Sequence, residues 1–197
     1  METWDEIRRW RRARRAALIG RREALPQREH RDLQARIIGL LETYFPELSR
    51  GLIGFYWPIR GEIGLHPLIR RLVEQGAKAA LPAVIEKGRP LEFWAWRPGT
   101  RLRRGVWDIP IPAERQVVRP TALLVPLVGF DRRGYRLGYG GGYYDRTLGL
   151  AAPGTPLVAV LNEEELVDAV PTEPHDRRVT GVLLTETGFL ALAGNKR

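Results

Sequence analysis

The stretch GYRLGYGGGYYDRTL, Gly134 to Leu148, gathers the residues of this chain that could do chemistry. Four of the five residues from Gly138 to Gly142 are glycine, with Arg136 before them and Tyr143, Tyr144, Asp145 and Arg146 directly after. Bare backbone lets N–H groups wrap a phosphate that side chains would keep away, although glycines also make plain hairpin turns. Arg136 and Arg146 can neutralise phosphate oxygens, and Asp145 can hold a magnesium ion that bridges them. Tyr139, Tyr143 and Tyr144 offer flat surfaces to a ring. The stretch has no GKS or GKT, so it is not a Walker A loop, and GYGGG lacks the GxGxxG spacing of a dinucleotide site.

The elements that must position these residues are legible as hydrophobic patterns. Residues 4–24 place Trp4, Ile7, Trp10, Ala13, Ala17 and Leu18 at helical spacing, with arginines at 8, 9, 11, 12, 14 and 15 on the other faces. Pro26 breaks this helix, and Gln27 to Tyr44 form a second. Short apolar runs then read as buried strands: Leu52–Trp57, Ala77–Val84, Leu91–Arg97, Ala122–Val128, Pro156–Leu161 and, last, Val179–Glu186. His66 to Glu74 and the segment from Asp145 to Leu150 suit helices, and the Pro- and Arg-rich residues 97–115 read as loop. Alternation of all-apolar strands with helices predicts one α/β domain over residues 1–197. Its open, mostly parallel central sheet (residues 51–190) is flanked by helices, with an N-terminal helical segment (3–45) packed on it. The glycine stretch begins just past the carboxyl end of the Ala122–Val128 strand, where open α/β sheets bind ligands.

The 197 residues carry a net charge of +9, from 32 Lys plus Arg against 23 Asp plus Glu. Only three of the cations are lysines (Lys78, Lys87, Lys196). A basic balance suggests an anionic partner such as a nucleotide, a polycarboxylate or nucleic acid, and arginine-rich composition alone is the plain alternative. Zero cysteines exclude disulfides and thiolate metal sites. No apolar run approaches the ~20 residues of a membrane helix. The first residues lack an apolar signal core, so the cytoplasm is the expected location.

The run FDRRGYRLGYGGGYYDR resembles the signature of the 5-formyltetrahydrofolate cyclo-ligases, also called 5,10-methenyltetrahydrofolate synthetases. FYWPIRGEIGLHPLI, GAKAALPAV and VPTEPHDRRVTGVLLTE resemble further blocks of that family. The resemblance implies a three-layer fold of the NagB/RpiA/CoA-transferase-like kind. It also implies ATP- and magnesium-dependent cyclisation of 5-formyltetrahydrofolate to 5,10-methenyltetrahydrofolate, with release of ADP and phosphate. The formyl oxygen is phosphorylated, the folate N10 attacks, and phosphate leaves. Carried over by residue, ATP would contact Arg11, Arg15, Arg136, Leu137, Gly138, Tyr139, Gly140, Gly141, Gly142, Tyr143 and Tyr144. The folate would contact Trp57, Glu62 and Tyr139 to Tyr143. Arg136 and Tyr143 would be catalytic, and Asp145 and Asp176 would be the magnesium ligands. A monomer acting on a folate that can carry a polyglutamate tail is the implied assembly. The chain departs from the family pattern at Arg11 (usually Lys), at Arg14 (usually apolar) and at Thr180 (usually Asp).

Plainer readings stand beside these. The N-terminal arginines can be solvated helix faces, and Trp57 can be core packing. His66 and His175 read as helix-start or loop residues, Asp131 as a turn former, and Glu163, Glu164 and Glu165 as a helix start. Trp94, Trp96 and Trp107 are sheet packing or a shelf for the folate. A non-catalytic folate- or nucleotide-binding relative and a basic nucleic-acid-binding protein are the alternative functions.

Overall fold

The computed structural model describes residues 3–152, 154–161, 165–172, 176–177, 179, 181–184 and 188–191. His175, Glu163, Glu164 and Thr180 lie outside them. Helix α1 (Trp4–Glu23) begins at a reciprocal cap: the Thr3 hydroxyl accepts from the Glu6 N–H while the Glu6 carboxylate accepts from the Thr3 N–H, which satisfies two otherwise unpaired donors. Its arginine-covered faces leave a narrow buried strip of Leu18, Ile19 and Arg22. Helix α2 (Gln27–Tyr44) starts after Pro26 and buries Ile37, Ile38 and Leu41.

The strands are β1 (Leu52–Gly54), β2 (Lys78–Ala83), β3 (Glu92–Trp96), β4 (Leu102–Arg104), β5 (Pro110–Pro112), β6 (Val117–Val118), β7 (Ala122–Val125), β8 (Gly129–Phe130), β9 (Arg136–Leu137), β10 (Leu157–Leu161), β11 (Gly181–Leu184) and β12 (Gly188–Ala191). Helix α3 (His66–Glu74) joins β1 to β2, and α4 (Tyr143–Leu148) follows the glycine stretch. Eight strands make the main sheet in the order β12-β11-β10-β7-β1-β2-β3-β6. Its centre, from β2 through β1, β7 and β10 to β11, is parallel, and β3, β6 and β12 add antiparallel edges.

Period-two alternation explains why the central strands read as continuous apolar runs. Ala122 and Leu124 of β7, Ala79 and Leu81 of β2 and Val158 of β10 join the core under α2 and α3. The alternate residues Leu123, Val125, Ala80, Leu157 and Ala159 join a second core with Phe130 and Leu148 of α4. Both faces are therefore covered, as a parallel sheet requires. A third cluster docks α1: Leu18 and Ile19 meet Val128, Leu137, Val167 and Val170. The first helix thus rests on the hairpin that carries the glycine stretch, while α2 covers the sheet. Among the described residues no helix is long and apolar enough to cross a membrane.

Several boundaries differ from the sequence reading. The strand expected over Ala122–Val128 ends at Val125, because Pro126 has no N–H to continue the ladder. Residues 97–115, expected as loop, form the β4–β5 hairpin, whose tip holds Trp107 and Asp108 at φ +55° and +59°. Its Arg- and Pro-rich sequence hides the pairing. The edge strands β6 and β12 were also not expected. Helix α4 begins two residues early, at Tyr143, where Gly142 caps it at φ +63°.

Candidate active site

Chain direction explains where the site lies. From β1 the chain runs out to β2 and β3, then returns to place β7 on the other flank of β1, with β10 beyond it. A crevice forms at such a switch point, outside the carboxyl ends of the strands. Three neighbouring parallel strands deliver their following segments there. β1 leads into Trp57 and Glu62, β7 into the β8–β9 hairpin and the glycines, and β10 into Glu165 and Asp176.

Hydrogen bonds between these segments hold the site together. The Tyr139 hydroxyl donates to Glu62 Oε1 at 2.8 Å, so the glycine stretch reaches across to the loop after β1. The Ile59 N–H donates to Glu62 Oε2 at 2.9 Å. Glu62 is 6% exposed. Burial raises its pKa, against the opposing pull of the Ile59 N–H, the Tyr139 hydroxyl and the Arg22 charge. Tyr139 is raised too, by burial first and then by the Glu62 charge.

The arginines of α1 divide by face. Arg15 donates to the Gly138 carbonyl at 2.7 Å, and Arg11 donates to the Pro171 carbonyl and to Asp176 Oδ2, each at 2.6 Å. These two, four residues apart on one face, are the ones the fold brings to the glycine stretch and the Asp176 segment. Arg14 instead lines a neighbouring cleft of about 670 Å³ with Trp10 and Arg133. Arg15 is lowered in pKa by burial and by its neighbours Arg11 and Arg12.

Arg136 and Arg146, read from the sequence as able to neutralise phosphate oxygens, are both engaged with the protein. The Arg136 side chain is only 4% exposed. It pairs with Asp145 Oδ1 and donates to the Arg177 carbonyl at 2.8 Å. Arg146 folds back onto the Gly141 carbonyl and over the Tyr143 ring. Leu137 points into the core and its carbonyl accepts from Val128, so neither group faces the crevice. Tyr143 meets the exposed Trp107 edge-on, with ring centroids 5.6 Å apart. Trp94 and Trp96 are buried packing residues.

Left-handed backbone falls at Gly140 and Gly142, φ +98° and +63°. Gly141 does not share it; a Cβ there would lie 2.7 Å from the Tyr143 ring. The plain readings of two residues hold. Asp131 is fully buried and accepts from the N–H groups of Arg133, Tyr135 and Val170, which makes it the brace of the β8–β9 turn. His66 is caged by Phe55, Trp57 and Trp96, and burial with the nearby Arg70 lowers its pKa. Trp57 packs against the α2–α3 core and the edge of His66.

Asp145 and Asp176 fit a magnesium ion carried by phosphates, not a protein-built cage. Both carboxylates act on the Arg136 charge, and Asp145 also accepts from the Arg177 N–H at 3.3 Å, so they share one corner. Among the described residues no group of three His, Cys, Asp or Glu could hold a metal. Asp145 and Asp176 would be the protein's share of such a site, as Mg²⁺ is commonly held by one or two carboxylates together with substrate phosphates.

Arg22 and Tyr56 were not singled out by the sequence, and Glu165, expected as a helix start, is instead buried against Arg22. Arg22 continues the face of Arg11, Arg15 and Leu18, a spacing that could have marked it. Its partners are carbonyls and distant side chains, which leave no local pattern.

A mostly parallel α/β sheet with a glycine-rich loop at its switch point, Arg15 bonded to that loop, defines the class as a single α/β domain with a candidate ligand crevice at the carboxyl edge. Comparison narrows the class. The profile of the 5-formyltetrahydrofolate cyclo-ligase family matches residues 2–185, and the chain belongs to that family. It is 34% identical over 187 residues to the 5-formyltetrahydrofolate cyclo-ligase of Mycolicibacterium smegmatis, covering 90% of this chain and 95% of the relative. The Escherichia coli K12 enzyme of the same name is 31% identical over 164 residues, covering 79% and 90%. The solved Aquifex aeolicus 5,10-methenyltetrahydrofolate synthetase superposes with a TM-score of 0.79 at 27% identity, covering 95% of each chain.

Proposed function

We propose that this chain converts 5-formyltetrahydrofolate to 5,10-methenyltetrahydrofolate at the expense of ATP. The Tyr139–Glu62 hydrogen bond carries the reading, because it joins the loop assigned to the folate to the glycine stretch assigned to the nucleotide. Two substrates held side by side are what a direct phosphoryl transfer between them needs. The formyl oxygen takes the γ-phosphoryl group and ADP leaves. N10 then attacks the activated carbon, and phosphate departs with the oxygen as N10 loses its proton.

Each residue contributes binding, orientation or charge. Glu62, with both oxygens already accepting, is suited to further N–H donors from the pterin. Amides of Gly138 to Gly142 surround the phosphates, Arg11 and Arg15 add positive charge from α1, and Trp57 and Tyr143 border the rings. Trp107 extends that aromatic wall at the hairpin tip. Arg136 acts by holding Asp145 and the Arg177 carbonyl in place, and its charge lies beside the proposed phosphate site. Asp145 and Asp176 would hold Mg²⁺, which when bound supplies charge neutralisation on the phosphate oxygens. A monomer in the cytoplasm, accepting folates with or without a polyglutamate tail, completes the proposal.

The purified protein with ATP and Mg²⁺ releases phosphate only when 5-formyltetrahydrofolate is present. Folate-independent release, or none with folate, contradicts the reading. Gly142→Val tests the loop. A branched residue at φ +63° costs ~1–2 kcal/mol, and its Cβ would press 2.9 Å from the Arg146 guanidinium. Calorimetry should show ATP affinity falling about tenfold or more and folate affinity falling less. Unchanged nucleotide affinity in the folded variant returns the glycines to a plain turn.

A further inference from the structure

Arg22 lies in the last turn of α1, 6% exposed, and its guanidinium reaches four segments. Nε donates to the Arg60 carbonyl at 3.1 Å, in the loop that carries Glu62. Nη1 donates to the Leu127 carbonyl at 2.9 Å and to Glu165 Oε1 at 3.1 Å. Nη2 donates to the Tyr139 hydroxyl at 2.6 Å. A void of about 10 Å³ lies against Arg22, Tyr56, Glu62 and Glu165, room for about one water.

The direction of this chain of bonds is forced. A guanidinium only donates, so the Tyr139 oxygen must accept from Arg22. The single Tyr139 proton is then left for Glu62 Oε1. The Ile59 N–H occupies Oε2, so both oxygens of Glu62 accept, which favours the carboxylate against its burial. Glu165 takes the other side of the same guanidinium and competes with Glu62 for its charge.

We propose that Arg22 and Glu165 are positioning residues for Glu62. Arg22 fixes the direction of the Tyr139 bond to the Glu62 carboxylate, and Glu165 sets how much of the Arg22 charge reaches it. The last turn of α1 thereby aligns the folate-side and nucleotide-side halves of the site. This rests on the functional reading above for the role of Glu62, but not for the bonds themselves.

The groups that bear on Glu62 are Arg22 from α1, His30 from α2 (against the Glu62 carbonyl), Tyr56 after β1, Tyr139 from the glycine stretch, Tyr144 of α4 and Glu165. Burial already favours its neutral form, and Arg22 opposes that. Removing Arg22 must therefore raise the pH at which Glu62 ionises. Removing the Glu165 charge must lower it.

The test is the carboxyl titration of Glu62 in the full-length, ligand-free chain, followed by NMR with side-chain ¹³C-carboxyl glutamate and assigned with Glu62→Gln. Relative to wild type, Arg22→Met should move the midpoint up, Glu165→Gln should move it down, and Arg22→Lys should fall between wild type and Arg22→Met. The acid limb of kcat/KM for 5-formyltetrahydrofolate should move with it, since that limb reports the free enzyme. At neutral pH Arg22→Met should lose about tenfold, partly regained as the pH rises. If Arg22→Met fails to fold, Glu165→Gln and Arg22→Lys decide alone. Equal midpoints in wild type and folded variants overturn the proposal, whatever the activities. Shifted midpoints in a wild type without turnover would support the positioning and overturn the functional reading instead.

Discussion

Asp145→Asn lowers kcat about a thousandfold while the protein stays folded. The carboxylate sits at the corner where Arg136 and the Arg177 N–H converge on Oδ1. An amide is isosteric, so the backbone around α4 has no reason to move. Its chemistry is wrong twice over. It brings no charge to offset Mg²⁺, and with its oxygen kept for Arg136 and the Arg177 N–H it turns an NH₂ donor, not a ligand, toward the proposed ion. Losing a fixed charge that acts on the transferring phosphoryl group costs ~10²–10³ in rate, and a weakened ion site adds to it. The measurement is kcat against Mg²⁺ concentration, with thermal melting as the check on folding. Saturating Mg²⁺ should restore only part of the loss. Wild-type turnover at limiting Mg²⁺ would remove Asp145 from the metal site.

Arg136→Ala is the second large effect, and its contrast with Arg103→Ala separates a local site from a diffuse basic surface. Arg136 is buried and holds two segments, Asp145 in α4 and the Arg177 carbonyl beside Asp176. Burial lowers its pKa, and Asp145 and Asp176 oppose that shift. Truncation removes the grip on one proposed magnesium ligand and frees the segment bearing the other, so kcat should fall ~10²–10³. Arg136→Lys should recover little, because a point charge cannot serve both acceptors as a planar fork does. Arg103 lies on the exposed β4–β5 hairpin with its guanidinium 5.3 Å from the Trp94 ring, and Arg103→Ala should change kcat about twofold or less. Steady-state kinetics with both variants decides between the readings. A nucleic-acid binder would spread its affinity over many arginines and show equal, small effects.

Much of the site was legible because its chemistry is local in sequence. The glycines, Tyr143 and Asp145 fall within eight residues, and the apolar run Ala122–Val128 already placed them just past the carboxyl edge of a parallel sheet. Arg11 and Arg15 share a helix face by spacing alone. The commitments of the arginines were not legible, because they are made with carbonyls and carboxylates brought in by the fold. Arg136 and Arg146 look from the sequence like free phosphate ligands, yet one is locked to Asp145 and the other lies on the Gly141 carbonyl. Leu137 sits inside the motif but packs in the core, since β9 alternates its side chains. Arg22 passed as one more cation on a basic helix. The β4–β5 hairpin escaped because its short strands set Leu102 and Arg104 against Pro112 and Pro110 and are rich in arginine and proline.

Coupling of the two substrates in one crevice is what the proposed reaction requires. The most direct test supplies 5-formyltetrahydrofolate, ATP and Mg²⁺ to the purified chain and follows methenyltetrahydrofolate absorbance together with ADP. One ADP should form for each methenyl group, and neither product should appear when either substrate is withheld. ADP without the methenyl chromophore, or folate and ATP both bound with no ADP, would contradict it.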